Sequence, residues 1–419
     1  MRRYESYKDS DVEWLGEVPS HWEVKKMKFL FKDTSIKNKP DETLLSVTQN
    51  RGVIPRDWLE ERTVMPSGSL ETFKFIEKDD FAISLRSFEG GLEICHHDGI
   101  ISPAYTVLKY NKKLLNNGYY KYLFKCQKFI SEMQTSIVGI REGKNISYEE
   151  LKYSFIPIPQ TNEQQKIAQF LDDKTAKIDQ AVDLAEKQIA LLKEHKQILI
   201  QNAVTRGLNP DVPLKDSGVE WIGQVPEHWE KYPLFVQAKI SSITNHIDKE
   251  LLSVYLDRGV IRFSDVDEKR TNVTSLDLSK YQLVRKGNFV LNNQQAWRGS
   301  VGISNYEGIV SPAYLILELS NKFESNYANY LFRNGTMVAH YFVASKGVGS
   351  IQRNLYWGNL RRTPIFIPPL SEQQRIADYL NTQTAKIDQA IALKTAHIEK
   401  LKEYKSVLIN DVVTGKVRV

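Results

Sequence analysis

The chain has 419 residues, 41% hydrophobic and 26% charged, with a formal net charge of +6. That is the balance of a folded protein of several domains, which excludes a disordered chain, and the positive excess is compatible with a polyanionic partner but too small to establish one. The two cysteines, Cys95 and Cys126, exclude a disulfide framework and point to a reducing cytoplasm.

The N-terminal residues lack the apolar core of a signal peptide. No run approaches the roughly 18 apolar residues of a membrane span. A soluble, cytoplasmic protein without membrane contact is expected. The first motif along the chain, Val12-Glu-Trp14-Leu-Gly16-Glu-Val-Pro19-Ser-His21-Trp22, returns 207 residues later as Val219-Glu-Trp221-Ile-Gly223-Gln-Val-Pro226-Glu-His228-Trp229. Leu44-Leu-Ser-Val47 and Arg51-Gly-Val-Ile54 recur at the same offset, as Leu251-Leu-Ser-Val254 and Arg258-Gly-Val-Ile261. Ser102-Pro-Ala-Tyr105 and Thr175-Ala-Lys-Ile-Asp-Gln-Ala181 recur 209 residues on, as Ser311-Pro-Ala-Tyr314 and Thr384-Ala-Lys-Ile-Asp-Gln-Ala390. The period is far longer than a solenoid repeat, so each copy is a whole domain with an appendage, and the two should be pseudo-symmetric. Around residues 55–95 and 262–300 the likeness nearly vanishes while the flanks stay close. One scaffold presenting two different binding surfaces would look like this.

Within each copy short strand-like runs alternate with turns. In the first they fall at 44–47, 81–85, 99–101, 106–108 and 155–158, and in the second at 251–255, 288–291, 308–310, 315–319 and 365–367. A helix over 117–134 is expected between them, with Tyr119, Leu123, Phe124, Phe129 and Met133 on its core face. The fold class is α+β, with a curved mixed sheet in each globular domain. Trp14, Trp22, Trp221 and Trp229 are read as structural anchors at the domain entrances, and each Ser-Pro-Ala-Tyr as a turn entering a strand.

After Phe155-Ile-Pro-Ile-Pro159 the pattern becomes helical. Capping boxes are expected at Asn162 with Gln165 and at Ser371 with Gln374. A heptad seam follows, carried by Leu171, Ile178, Val182, Ile189, Leu192 and Leu199, and in the second copy by Leu380, Ile387, Ile391, Ile398, Leu401 and Leu408. Lys196, Lys394 and Lys405 interrupt it. A helix from Asn162 to about Ala203 would run roughly 60 Å, too long for one domain to cover, so the two helices should pair as an antiparallel coiled coil with the domains at opposite ends. Each helix should close at a glycine, Gly207 and Gly415.

Catalytic motifs are missing. No Gly-rich loop opens a helix after a strand, Gly347-Val-Gly349 lacks the third glycine of a dinucleotide fingerprint, and there is no Gly-x-x-x-x-Gly-Lys-Ser/Thr loop. Pro368-Pro369 is followed by Leu370 rather than the aromatic residue of a methyltransferase motif. Cys95-His96-His97 matches no structural zinc spacing, and Asp79-Asp80 and Glu60-Glu61 read as solvated pairs. No catalytic residue and no metal site is expected.

Taken together, the Trp-Leu/Ile-Gly-x-Val-Pro-x-His-Trp openings, the Ser-Pro-Ala-Tyr motifs, Glu163-Gln-Gln165-Lys-Ile-Ala168 with Glu372-Gln-Gln374-Arg-Ile-Ala377, and the Thr-Ala-Lys-Ile-Asp-Gln-Ala repeats resemble the specificity subunits of type I restriction–modification systems over essentially the whole chain. The resemblance implies a non-catalytic subunit with a first target-recognition domain over 1–160, a spacer helix over 161–206 and a connector over 207–218. A second recognition domain over 219–369, a second spacer helix over 370–414 and a tail over 415–419 complete it. It also implies that each domain reads half of a bipartite, asymmetric site in double-stranded DNA. The paired helices would set the spacing and dock two methylation subunits, which a motor/nuclease subunit then joins. No cofactor is expected on this chain; S-adenosylmethionine, ATP and Mg belong to the partners. The rival reading is a coiled-coil interaction scaffold without DNA readout.

Base readout calls for Arg or Lys toward guanine and Asn or Gln toward adenine. In the first domain the candidates are Gln49, Asn50, Arg51, Arg86 and Ser87; in the second they are Arg258 and the run Asn292, Asn293, Gln294, Gln295 and Arg298. Arg141, Lys144 and Asn145, with Gln352, Arg353 and Asn354 at the equivalent place, are candidates for phosphate contact. Arg51 and Arg258 are shared between the copies and should therefore serve scaffold or DNA backbone rather than sequence choice.

Overall fold

The computed structural model describes residues 2–59, 69–138, 145–266, 277–347 and 353–419. The chain divides into two compact units, residues 1–185 with 395–419 and residues 186–394. Each unit therefore holds one globular domain and one half of each long helix.

The two domains repeat one topology, strand for strand. In the first, a four-stranded sheet runs in the order Phe31–Thr34, Thr106–Tyr110, Phe81–Ile83 and Glu93–Ile94; in the second, Ala238–Ser241, Tyr314–Leu319, Phe289–Asn292 and Val301–Ile303. Beside it stand matching two-stranded ladders, such as Leu45–Thr48 with Gly52–Pro55 and Leu252–Tyr255 with Gly259–Arg262. Every described ladder is antiparallel. The expected mixed sheet is corrected accordingly: parallel pairing is confined to isolated bridges such as Leu44 with Ile100 and Leu251 with Ile309. Among the described residues, the connections within each sheet lack the helical crossovers that a parallel ladder requires.

The helix expected over 117–134 is two helices, Asn117–Leu123 and Gln127–Gln134. Cys126 between them is extended, at φ −72° and ψ 142°, which ends one helix and redirects the next. All five expected core residues are nonetheless fully buried. Trp22 and Trp229 are buried as well, and each Ser-Pro-Ala-Tyr is a turn closed by a bond from the Tyr105 or Tyr314 amide to the Ser102 or Ser311 carbonyl, both at 3.1 Å.

The long helices span Thr161–Arg206 and Leu370–Val413. Along both, the expected seam positions are buried or half-buried, as are the lysines that interrupt the seam, and their flanks are exposed. In the unit of residues 186–394, Lys394 donates to Gln188 at 2.6 Å and Lys196 to Asp388 at 2.6 Å. Positions that ascend along one helix descend along the other, so the pair is antiparallel. In the other unit Lys405 meets Asp179 at 2.6 Å, the repeat equivalent of Lys196 with Asp388. The seam lysines are thus paired rather than defects, and polar groups at such positions set register at some cost in stability. The glycines that follow, Gly207 and Gly415, have φ of +74° and +75°, the left-handed closure that favours glycine.

Two expectations about segments change. The presumed connector over 207–218 carries a strand, Leu214–Asp216, paired with Gln224–Pro226 as Tyr7–Asp9 pairs with Glu17–Pro19. The presumed tail over 415–419 is built into the first domain: the Arg418 amide bonds the Arg2 carbonyl at 2.9 Å, and a Cβ on Gly415 would lie 2.4 Å from Pro19.

At the head of each long helix the expected capping boxes are replaced by a different device. Gln164 and Gln373 are completely buried. The Gln164 side chain accepts from the Asn116 amide (2.7 Å) and donates to the carbonyls of Leu114 (2.9 Å) and Pro159 (2.8 Å). Gln373 repeats this with the Glu324 amide (2.8 Å) and the Lys322 and Pro368 carbonyls (2.7 and 2.9 Å). Alongside, His21 pairs with Glu163 at 2.9 Å and His228 with Glu372 at 2.7 Å. An amide satisfies donor and acceptor groups at once, which neither a carboxylate nor an apolar side chain does. Gln164→Leu should strand three backbone groups and cost about 2–4 kcal/mol in thermal unfolding, whereas Gln165→Leu, one exposed residue along, should stay within about 0.5 kcal/mol. Equal effects of the two would contradict the clamp.

Candidate nucleic-acid interface

In each domain three segments distant in sequence come together. The first is a hairpin tip. Thr48 and Gly52 are the last register pair of their ladder, and Tyr255 and Gly259 are the equivalent pair. Gly52, at φ +74°, sits where a Cβ would lie 2.6 Å from the Ile94 carbonyl, so no other residue fits there. The tips carry Gln49, Asn50 and Arg51 in one domain and Leu256, Asp257 and Arg258 in the other, all exposed. Arg51 donates to the Trp58 carbonyl at 3.4 Å and Arg258 to the Asp265 carbonyl at 3.4 Å. Both shared arginines thus reach their own domain's backbone in the same way.

The second segment is the turn after the central strand. In the first domain it is the single helical turn Ser87–Gly90, and the Gln49 side chain lies 3.4 Å from where a Gly90 Cβ would sit. Arg86 is exposed there. Ser87 departs from expectation: it is buried, and its hydroxyl accepts the Ser84 amide at 2.8 Å, which leaves it no face toward DNA. In the second domain the turn is Asn292 to Gly299. Asn292 spends its side-chain oxygen on the Gln294 amide (3.1 Å), Asn293 and Gln295 are half-buried, and Gln294 and Arg298 are exposed.

The third segment is a small hairpin, Ile137–Val138 with Asn145–Ile146 and its counterpart Ser345–Lys346 with Asn354–Leu355. Arg141, Lys144 and Gln352 lie outside the described residues. Asn145 and Arg353 are half-buried and Asn354 is exposed. The Leu355 amide bonds the Asn293 carbonyl at 2.9 Å, which ties this hairpin to the turn. Aromatic rings line the junction: Arg298 lies 4.5 Å over Trp297, Trp297 is 6.3 Å from Phe342, and Arg353 lies 4.1 Å over Phe342. Sequence reading passed over Trp297 and Phe342, because their role depends on a contact between segments 45 residues apart.

At equivalent places on this shared backbone the residues differ: Gln49 corresponds to Leu256, Arg86 to Gln295, and Glu89 to Arg298 in the repeat. The model of the type I restriction modification DNA specificity domain matches residues 20–193 and again 235–403. The chain belongs to this family. Among relatives it is similar to the type I restriction enzyme MjaVIII specificity subunit of Methanocaldococcus jannaschii, 26% identical over 77% of this chain and 75% of that one. It is also similar to the putative type I restriction enzyme MjaX specificity subunit of the same organism, 22% identical over 99% and 97% of the two chains. Among solved structures, a chain from a study of assembly and conformational transition in a type I R-M system superposes with a TM-score of 0.66, at 13% identity over 96% of this chain and 99% of that one. The HsdS subunit from Thermoanaerobacter tengcongensis gives 0.56 at 14% identity, over 98% and 100%. These two support the fold. Each family match takes in one hairpin tip, one turn and one small hairpin.

No group of residues suited to hold a metal is found among the described residues. Cys95, beside His96 and His97, points into the core and donates to the His97 carbonyl at 3.0 Å. Burial pushes its thiol up to about 12, which keeps it protonated and unreactive at neutral pH. Among the described residues no helix is long and apolar enough to cross a membrane.

Glu93, at the edge of the sheet beneath the first hairpin tip, is buried and paired with Lys125. Burial pushes its carboxyl up to about 7, against the opposing pull of the Lys125 ammonium. A carboxyl raised on folding stabilises the fold fully below its ordinary value near 4.5, and this contribution is lost as pH rises through about 7. The thermal midpoint of the wild type should therefore fall relative to Glu93→Gln between pH 5 and pH 8. A gap that stays flat or widens in the wild type's favour would contradict this assignment.

Proposed function

We propose that the chain is the DNA-reading subunit of a type I restriction–modification complex, in which each globular domain reads one half of a bipartite, asymmetric site in double-stranded DNA. The observation that carries this reading is the repeated backbone with unlike residues at the exposed tips and turns: a shared frame meets what both half-sites have in common, and the exchanged side chains meet what differs. The first domain offers Gln49, Asn50 and Arg86; the second offers Gln294 and Arg298 beside Trp297.

In this reading the antiparallel helices set the spacing between half-sites and dock two methylation subunits. Support comes from apolar residues outside the seam: Leu184, Leu191 and Ile198 recur every seventh residue and are exposed, as are Leu393 and Val407. Such a stripe is what a partner helix covers. Catalysis belongs to the partners. The methylation subunits bring S-adenosylmethionine and flip the target base, a motor/nuclease subunit brings ATP and Mg, and this chain supplies the address.

Mapping of methylated bases in host DNA, with and without this gene and its methylation partner, should reveal two short half-sites at one fixed separation. No methylation difference, together with no DNA retained by the purified complex, would leave the interaction-scaffold reading in its place. Arg298→Ala should weaken discrimination at one half-site by roughly 10- to 100-fold, the worth of one good base contact, measured by competition between cognate and half-substituted duplexes. Unchanged methylation specificity would rule that role out.

A further inference from the structure

The strands below each hairpin tip pack into the core and bridge neighbouring strands, but the tips themselves are exposed. Besides the Arg51 and Arg258 bonds, a cation from the helix layer holds the tip in both domains. Tyr122-Leu123-Phe124-Lys125 and Tyr330-Leu331-Phe332-Arg333 are equivalent stretches. The Lys125 ammonium donates to the Gln49 carbonyl at 2.9 Å. The Arg333 guanidinium donates to the carbonyls of Leu256 (3.2 Å) and Asp257 (2.6 Å), at the same place on the second tip.

The chemistry around the two cations differs although the grip is the same. Lys125 has the buried carboxylate of Glu93 beside it. The equivalent of Glu93 is Gly302, where even a Cβ would lie 3.1 Å from the Gly259 Cα and the Val260 nitrogen. With no room for a carboxylate, the second domain uses a guanidinium, one terminal nitrogen of which donates to both tip carbonyls; being more weakly hydrated than an ammonium, it is the easier charge to leave there without a carboxylate. The cation and its neighbour differ between the domains, Lys125 beside Glu93 in one and Arg333 opposite Gly302 in the other, yet a cation reaches the tip carbonyls in both. A generic surface ion pair would not be expected to keep its target while its counter-charge is exchanged for a second carbonyl.

We propose that Lys125 and Arg333 are positioning residues for DNA readout: each holds its own domain's hairpin tip against the adjacent turn, so that tip and turn form one rigid reading surface for one half-site. This rests on the function proposed above. Neither side chain need touch a base; each acts through the backbone of the tip. Without the brace the tip would have to be ordered on binding, and the cost would fall on discrimination.

The test uses the full chain assembled with its methylation subunit, and duplexes carrying the cognate site or a substitution in one half-site at a time. Lys125→Ala should reduce discrimination at one half-site by about tenfold or more, in the range expected for a group displaced by part of an ångström, with the other half-site within about twofold. Arg333→Ala should do the converse at the opposite half-site. Lys125→Arg should restore most of the loss, and Arg333→Lys only part of it, because the more strongly hydrated ammonium would sit there without a carboxylate. If Lys125→Ala impairs folding, Lys125→Met keeps the apolar stem and removes only the charge. Equal weakening at both half-sites, or full discrimination by Lys125→Ala and Arg333→Ala, would overturn the positioning role and leave the DNA-reading function standing. A wild-type complex that discriminates neither half-site would overturn the function itself.

Discussion

Everything peripheral in each domain is referred to one buried contact, the glutamine at the head of its long helix. Gln164 and Gln373 each join three backbone groups, one on the segment that leads into the long helix and two on the turn and N-cap that open the domain's own short helix. Because all of these groups are buried, the helix cannot pivot at its root without leaving donors and acceptors unpaired. The His–Glu pairs beside them are more exposed and correspondingly weaker. For the function proposed above, a stiff root keeps the reading surface in place, and an amide suits it better than a charge.

From that root the two long helices run with their apolar rows inward, and the lysines in the seam follow a rule. Asp179 meets Lys405 and Asp388 meets Lys196. The aspartates belong to the identical Thr-Ala-Lys-Ile-Asp-Gln-Ala stretches, and these pairings account for part of that identity: the same residue must meet the same partner in both units. Exposed pairs of this kind add little stability. Their effect is on register, since a slip of the seam would leave each lysine half-buried without its carboxylate.

The domains show the opposite logic at their tips and turns. Where a backbone is merely held, the copies agree in role, as with Arg51 and Arg258 on equivalent carbonyls or Gly52 and Gly259 at positive φ. Exposed side chains beside these anchors are where the copies part. The brace by Lys125 and Arg333 lies between the two regimes, with one function and two chemistries.

The duplication, the two domains, the heptad seam and the closing glycines were all legible in the sequence, because each is a matter of spacing along the chain. A repeat is visible in any one chain that contains it, and heptads follow from helical geometry alone. The strand-like runs that were read fall within a residue or two of described strands, whereas others, such as Phe31–Thr34 and Ala238–Ser241 at the edges of the four-stranded sheets, gave no such signal. The break at Cys126 and the strand at Leu214–Asp216 were not legible either, because both depend on what the segment meets after folding. The same holds for Ser87, which reads as a polar loop residue until packing shows its hydroxyl turned inward. Gln164 and Gln373 stand in a motif that is plain in the sequence, but their work is to join groups about 50 residues apart. Sequence alone therefore determined that there are two copies of one scaffold on paired helices. Only the tertiary structure decided which side chains face outward together and which cations hold them there, because those contacts join segments whose separation along the chain carries no signal.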